Sequence, residues 1–325
     1  MGAADPALHG LRTALHHPAI AGVTVGLLES VGAHTVADQV DRLRSEGDLV
    51  AITVPAGARH WRSRRFRMYA LEDRDQVVRA FRGGGWNAFE APLPSVVVRL
   101  VRRWPHTILD VGANTGLYSL IAVSAHRSVQ AIAYEPVPEI ATLLRANVKA
   151  NPQGRRVTVR ELAVGDRTGT ADLHLPPAQG DGTIETSASL ESDFKESIDR
   201  VVTVDAATLD DAWATAGRPT VGLVKIDVEG AEPRVLAGAG ALIDTCRPVL
   251  TVEVLPGAAL EAADRLCHDH RYVDVTLSAH EAVVNHPSVR PEPLAPNHLL
   301  VPAERLDDVV HELRALPRLA VTVLP

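Results

Sequence analysis

The sequence predicts an α/β protein of Rossmann-like architecture, a mainly parallel sheet with helices on both faces, joined to a smaller N-terminal α+β region. Three observations carry this reading. Thr107–Gly116 is a short apolar strand running into a glycine turn, and a helical pattern and a second strand follow it as a βαβ unit. From Ile108 onward strands and helices alternate as three β/α units, an extra strand region, two more β/α units and a final strand pair. Val221–Glu229 then reads as a buried strand whose end carries Lys225, Asp227 and Glu229 at a period of two, so that all three point to one side.

The 325 residues suffice for one domain of about 200–230 residues with an appendage, divided here into residues 1–92 and 93–325. A composition of 46% hydrophobic and 22% charged residues is that of a globular chain. The net charge of −7 argues against broad binding of nucleic acid or anionic membranes. Cys246 and Cys267 form no CxxC or metal-type spacing, which suits a reduced cytoplasm. No apolar run is long enough to span a membrane, and the N-terminus lacks a basic region followed by an apolar core, so a cytoplasmic protein is expected. The composition leaves room for a homo-oligomer.

In the N-terminal region a helix is expected over Thr35–Arg44 and a strand over Leu49–Val54. Arg59, Arg62, Arg64, Arg65 and Arg67 are then interleaved with His60, Trp61, Phe66 and Tyr69. This run reads either as a patch for an anionic or aromatic substrate or as a solvated strand face paired with Glu72, Asp73 and Asp75; the second reading is favoured because charge runs usually lie in water. Gly83-Gly84-Gly85 marks a hinge, lid or connector. Leu93–Trp104 has helical spacing, as has Leu117–Ala125 after the glycine turn; Gln130–Tyr134 is the second strand and Pro138 opens the next helix. Strands are expected at Val157–Leu162, Gly169–Leu175, Val201–Val204, Pro248–Val254, Tyr272–Leu277 and His298–Val301. Helices are expected at Ala207–Trp213, Pro233–Leu242 and Ala258–Asp269, and Thr183–Ser189 is a polar loop that could line an entrance.

The turn distinguishes two cofactors. A dinucleotide fingerprint needs a second glycine two positions after the first, where backbone closes on a pyrophosphate, and here that residue is Asn114. Asp110 at the strand end also suits a pyrophosphate poorly, whereas S-adenosylmethionine carries an ammonium and a sulfonium that a carboxylate favours. Glu135, about 20 positions beyond Gly112, stands where a carboxylate accepts both hydroxyls of an adenosine ribose. Glu161 and Ala163 fall at the end of the third strand, beside the adenine of such a ligand. S-adenosylmethionine is therefore expected rather than NAD.

Leu109-Asp110-Val111-Gly112-Ala113-Asn114-Thr115-Gly116, Tyr134-Glu135-Pro136, Leu162-Ala163-Val164-Gly165-Asp166 and Lys225-Ile226-Asp227-Val228-Glu229-Gly230-Ala231-Glu232 together resemble the FkbM-type family of S-adenosylmethionine-dependent methyltransferases. The resemblance runs over roughly residues 90–301 and finds no counterpart for residues 1–85. It implies a class I methyltransferase fold with a seven-stranded, mainly parallel sheet, and O-methylation of a hydroxyl on a sugar, polyketide or other secondary metabolite. The implied cofactor set is Asp110, Gly112, Asn114, Gly116, Tyr118, Glu135, Glu161, Ala163 and Asp227, although the family commonly has an amide where this chain has Glu161.

For the chemistry, Asp227 is the candidate base or orienter of the acceptor hydroxyl, with Lys225, Glu229 and Glu253 in support. Lys225 stands out because the chain uses 30 Arg and 3 Lys, as though a compact ammonium were wanted where a planar guanidinium would not fit. A salt-linked strand end without catalytic duty is the competing reading. Asp227, Glu229 and Glu232 could instead hold a divalent cation. No histidine has ligand spacing beside them, and Glu232 is expected to face away once the helix begins, so no metal is assigned. An oxidoreductase, disfavoured by Asn114, and a non-catalytic S-adenosylmethionine-binding protein are the other classes weighed; a serine hydrolase lacks its GxSxG.

Overall fold

The computed structural model describes residues 49–55, 64–70, 75–175, 190, 200–285, 288–290 and 296–324. The expected helix at Thr35–Arg44, the loop Thr183–Ser189, and Arg59, His60, Trp61, Arg62, Glu72 and Asp73 lie outside them.

The strand at Leu49–Val54 (β1) forms as expected and pairs antiparallel with β2 (Arg64–Tyr69). Alternation decides the role of the arginine run: Phe66 and Met68 point into the core while Arg64, Arg65 and Arg67 are exposed, so the described part of the run is a solvated hairpin face. Asp75 does not pair with these arginines. It is buried and accepts a hydrogen bond from Val78 N at 2.9 Å as the N-cap of α1 (Gln76–Gly84), and Gly85 ends that helix with a φ of 71°. The helix α2 (Leu93–Arg103) presents Val96, Val97, Leu100 and Val101 to the core.

The βαβ unit is β3 (Thr107–Val111), α3 (Leu117–Ala125) and β4 (Ala131–Tyr134), every residue of which is buried. Next come α4 (Pro138–Lys149) and β5 (Val157–Arg160). The expected third strand divides here: Ala163–Gly165 forms a separate β6, in a three-stranded sheet with β7 (Gly169–Leu175) and β8 (Arg200–Thr208). Strand β8 is longer than read, and α5 (Leu209–Thr215) starts later, because Thr208 is its cap and accepts from Asp211 N at 3.0 Å. After β9 (Val221–Ile226), the helix expected over Pro233–Leu242 is two helices, α6 (Glu232–Ala237) and α7 (Gly240–Cys246). They break at Gly238, where a Cβ would stand 2.3 Å from the Gly165 carbonyl oxygen, and Asp210 caps α7 by accepting from Ala241 N and Leu242 N. The chain ends with β10 (Val249–Glu253), α8 (Ala258–His270), β11 (Tyr272–Leu277), β12 (Glu281–Asn285), β13 (Asn297–Pro302), α9 (Leu306–Arg314) and β14 (Ala320–Val323).

The main sheet has nine strands in the order β14-β12-β11-β13-β10-β9-β3-β4-β5, where seven were expected. From β5 through β10 every pairing is parallel, and β13 enters antiparallel to both β10 and β11. The two additional strands, β12 and β14, close the far edge. Alternate strand residues feed two hydrophobic layers: Ile108, Leu223 and Val249 pack with α2, α3 and α9, while Leu109, Val224 and Leu250 pack with α5 to α8. Because β3 is followed outward by β4 on one side and flanked by β9 on the other, the strand order reverses between β3 and β9. That reversal opens a crevice at the carboxyl ends of the central strands. Among the described residues no helix is long and apolar enough to cross a membrane.

Candidate active site

The crevice is built on a close backbone crossing. Gly112 follows β3 with a φ of 71°, and a Cβ there would lie 1.8 Å from the carbonyl oxygen of Asp227, so only glycine lets the ends of β3 and β9 touch. Asn114, at a φ of 52°, takes the left-handed conformation that asparagine tolerates, and its Oδ1 accepts from Thr115 N at 2.7 Å. Gly116 caps α3, with a would-be Cβ 2.3 Å from Leu144 Cδ1.

Glu135 clamps this turn to β4. Its Oε2 accepts from Asn114 N at 2.9 Å and its Oε1 from Val137 N at 3.0 Å. Burial raises its pKa to about 7, against the opposing pull of those two N–H groups and of Lys225. Each oxygen still has acceptor capacity beyond its one bond. A cleft open to solvent is walled by Gly112, Asn114, Glu135, Ala163, Asp227 and Glu229 from the expected set, with Leu162 and Leu173 as apolar wall.

Other expected residues lie elsewhere. Asp110 is fully buried behind the turn, where its Oδ2 accepts from Ser119 N at 2.9 Å and Ser119 Oγ at 2.7 Å, tying the first turn of α3 to β3. Burial raises its pKa, with Lys225 and Ser119 opposing. Glu161 is exposed and pairs with Arg145 of α4 at 2.8 Å, outside the cleft wall. Gly116, Tyr118, Lys225 and Glu253, also expected at the site, are not among the residues that line this cleft.

Lys225 is the centre of the charged group. Its Nζ donates to the Gly112 carbonyl at 2.9 Å, pairs with Asp227 Oδ2 at 3.0 Å and lies 5.5 Å from the centroid of the Tyr118 ring. Burial works against this ammonium, but Asp227, Asp110 and Glu90 outweigh it and hold its pKa above the ordinary lysine range. Asp227, about one-third exposed, is the partner that meets the cleft. Glu253 at the end of β10 is half-buried, and desolvation together with Asp227, Glu232, Glu229 and Glu90 raises its pKa to about 7. Glu232 does not face away: its Oε1 accepts from Val228 N at 2.9 Å, and donor atoms of Asp227, Glu232 and Glu253 lie within 4.8 Å of one another. Glu229, in a left-handed conformation at a φ of 54°, is not part of that trio.

One group escaped the reading of the sequence. Glu90, in the turn before α2, accepts the hydrogen bond of the buried Tyr118 hydroxyl. Burial and Asp227 push its carboxyl above the ordinary range. The isolated Ala88-Phe89-Glu90-Ala91 segment offered no periodicity or motif from which to find it.

A doubly wound sheet with its glycine turn, carboxylate clamp and cleft at the strand-order reversal defines an α/β ligand-binding protein of Rossmann-like type. A model of the methyltransferase FkbM domain matches residues 110–281, from the end of β3 into β12, and the chain belongs to the FkbM methyltransferase family. It is similar to the 2-O-methyltransferase NoeI of Sinorhizobium fredii, at 30% identity over 163 residues, covering 48% of this chain and 66% of that protein. It is also similar to the 31-O-demethyl-FK506 methyltransferase FkbM of Streptomyces tacrolimicus, at 31% identity over 155 residues, covering 40% and 58%. The chain thus spans between 58% and 66% of the length of these two relatives. Among solved structures, the O-methyltransferase TomG of Streptomyces achromogenes aligns over 71% of this chain and 87% of its own, at 13% identity and a TM-score of 0.41.

Proposed function

We propose that the protein is an S-adenosylmethionine-dependent methyltransferase acting on a hydroxyl oxygen of a small-molecule acceptor, a sugar, polyketide or other secondary metabolite. The observation that carries this reading is the family-matched segment folding round a cleft lined by both Glu135 and Asp227. The relatives' names supply the hydroxyl as the methylated group. S-adenosylmethionine, when bound, supplies an electrophilic methyl group.

The chain's own residues divide the remaining work. Glu135 keeps acceptor capacity for ribose hydroxyls while holding the turn, and Gly112 and Asn114 offer backbone that a ligand without phosphates can approach. Ala163 leaves room for a flat base beside Leu162. Asp227, paired with Lys225 at 3.0 Å, orients the acceptor hydroxyl or takes its proton, and Glu253 is the second group able to take a proton near neutral pH. Positioning of the hydroxyl against the methyl group supplies much of the acceleration. Residues 1–92, upstream of the matched segment, are assigned to acceptor selection or self-association.

Calorimetry with S-adenosylmethionine, S-adenosylhomocysteine and NAD tests the cofactor. The two adenosylated amino acids are expected to bind and NAD to fail; the reverse result overturns the reading. Glu135→Ala is expected to weaken S-adenosylmethionine binding by about 1–3 kcal/mol, since a buried charged acceptor is lost. Transfer of label from methyl-tritiated cofactor to hydroxylated acceptors then separates an enzyme from a protein that only binds the cofactor.

A further inference from the structure

The family match begins at residue 110, and Glu90 lies upstream of it. Its backbone has a φ of 45°, a left-handed conformation for which a glutamate has no local preference and which persists only where surrounding structure enforces it. That enforcement is visible on both sides. Trp86 Nε1 donates to Ser95 Oγ at 2.7 Å, the Phe81 and Phe89 ring centroids are 6.5 Å apart, and Leu93 N donates to the Glu90 carbonyl at 2.8 Å. The side chain delivered this way turns inward to the Tyr118 hydroxyl. The Tyr118 ring in turn faces the Lys225 ammonium, which holds both the Gly112 carbonyl and the Asp227 carboxylate.

We infer that Glu90 is a positioning residue of the cofactor site, acting through Tyr118 and Lys225 to fix the glycine turn and the aim of Asp227. The inference rests on the S-adenosylmethionine reading above. Tyr118 is 4% exposed, so its hydroxyl needs an internal partner. With that hydroxyl tied to Glu90, the ring is held in a fixed plane against the ammonium, a contact worth more when desolvated. Without Glu90 the hydroxyl must seek another acceptor, the ring turns with it, and Lys225 loses one of the three contacts that place it. The carbonyl of Gly112 is then less firmly held, and a ligand binding to the turn must reorder it. The charged groups facing Glu90 are Asp110 from β3, and Lys225 and Asp227 from β9 and its end.

The test is calorimetric titration of the full chain with S-adenosylhomocysteine. Glu90→Ala is expected to weaken binding by about 5- to 20-fold. Glu90→Gln, whose amide oxygen still accepts from the Tyr118 hydroxyl, is expected to stay within about twofold of the wild type. Tyr118→Phe keeps the ring and deletes the hydroxyl, and the double variant Glu90→Ala with Tyr118→Phe is expected to bind no worse than the weaker single variant, as groups acting in one chain do. A merely structural Glu90 lowers the melting temperature without this pattern of rescue and non-additivity. Unchanged affinity in Glu90→Ala, or losses that sum in the double variant, overturns the positioning role while leaving the cofactor reading intact. A wild type that does not bind S-adenosylhomocysteine removes the cofactor reading itself. Should Glu90→Ala fail to fold, Tyr118→Phe decides alone, and unchanged affinity there overturns the inference.

Discussion

Lys225 shows how a single side chain choice reaches the chemistry. A chain that encodes arginine almost everywhere places an ammonium here, and the three contacts it makes, with a carbonyl, a carboxylate and an aromatic face, converge on one point in a way a planar fork does not match. Its pairing at 3.0 Å fixes where the Asp227 carboxylate points. Asp227→Asn is therefore expected to leave fold and cofactor affinity nearly unchanged and to lower single-turnover methyl transfer by about 100-fold, because the amide is isosteric but accepts no proton. A near-wild-type rate would make this strand end structural and move the base to Glu253. Burial and four neighbouring carboxylates raise Glu253 to about 7, above its value in the unfolded chain, so the folded protein holds that proton more tightly. The associated stability is present at low pH and declines as the pH rises towards and through about 7. In Glu253→Gln the melting temperature is expected to fall less between pH 5 and 8 than in the wild type, a comparison made by thermal scans across that range. Parallel pH curves would show that Glu253 is not held this way.

At the scale of elements, the readable parts were those whose burial is one-sided or complete. The strand β1 and the helix α2 stand out in the sequence because their apolar residues keep one period, and β3, β11 and α3 because they are buried from end to end. The break between α6 and α7 was hidden because it depends on Gly238 meeting Gly165 of another strand, a contact no local pattern encodes. The edge strand β14 is mostly exposed and so has no alternation to read, whereas α9 carries a legible stripe at Leu306, Val309, Val310 and Leu313. The hairpin of β1 and β2 depends on side chains from another element: Asn151 Oδ1 accepts from Arg67 N at 2.7 Å, its Nδ2 donates to the Arg67 carbonyl at 2.8 Å, and Asn147 Oδ1 accepts from Tyr69 N at 2.9 Å. These amides pair with β2 as a further strand would. Asn151→Ala is expected to destabilise the protein by about 2–3 kcal/mol in urea denaturation, with faster hydrogen exchange at Arg67 as its local sign. Unaltered exchange at that amide would show that packing of Phe66 and Met68 holds the hairpin by itself.

For the whole molecule, the parallel core and its cleft followed from two motifs, the glycine turn and the charged end of β9, because both lie at the strand-order reversal where open α/β sheets bind ligands. What the sequence hid was the relative depth of the carboxylates. Asp110 is buried behind the turn, Glu161 turns out to Arg145, and Glu232 turns in towards Asp227 and Glu253. This last convergence bears on metal. Three carboxylates within 4.8 Å would repel if all were ionised, and a hard divalent cation is one means of relief. The surroundings offer another: Lys225 already neutralises Asp227, Val228 N engages Glu232, and the raised pKa of Glu253 lets it carry a proton. With the charge balanced by an ammonium and a proton, methyl transfer is expected to proceed unchanged after exhaustive dialysis against EDTA. Loss of turnover on chelation, with recovery on adding Mg²⁺ or Mn²⁺ and no change in S-adenosylmethionine affinity, would instead assign these three carboxylates to a cation that lowers the pKa of the acceptor hydroxyl.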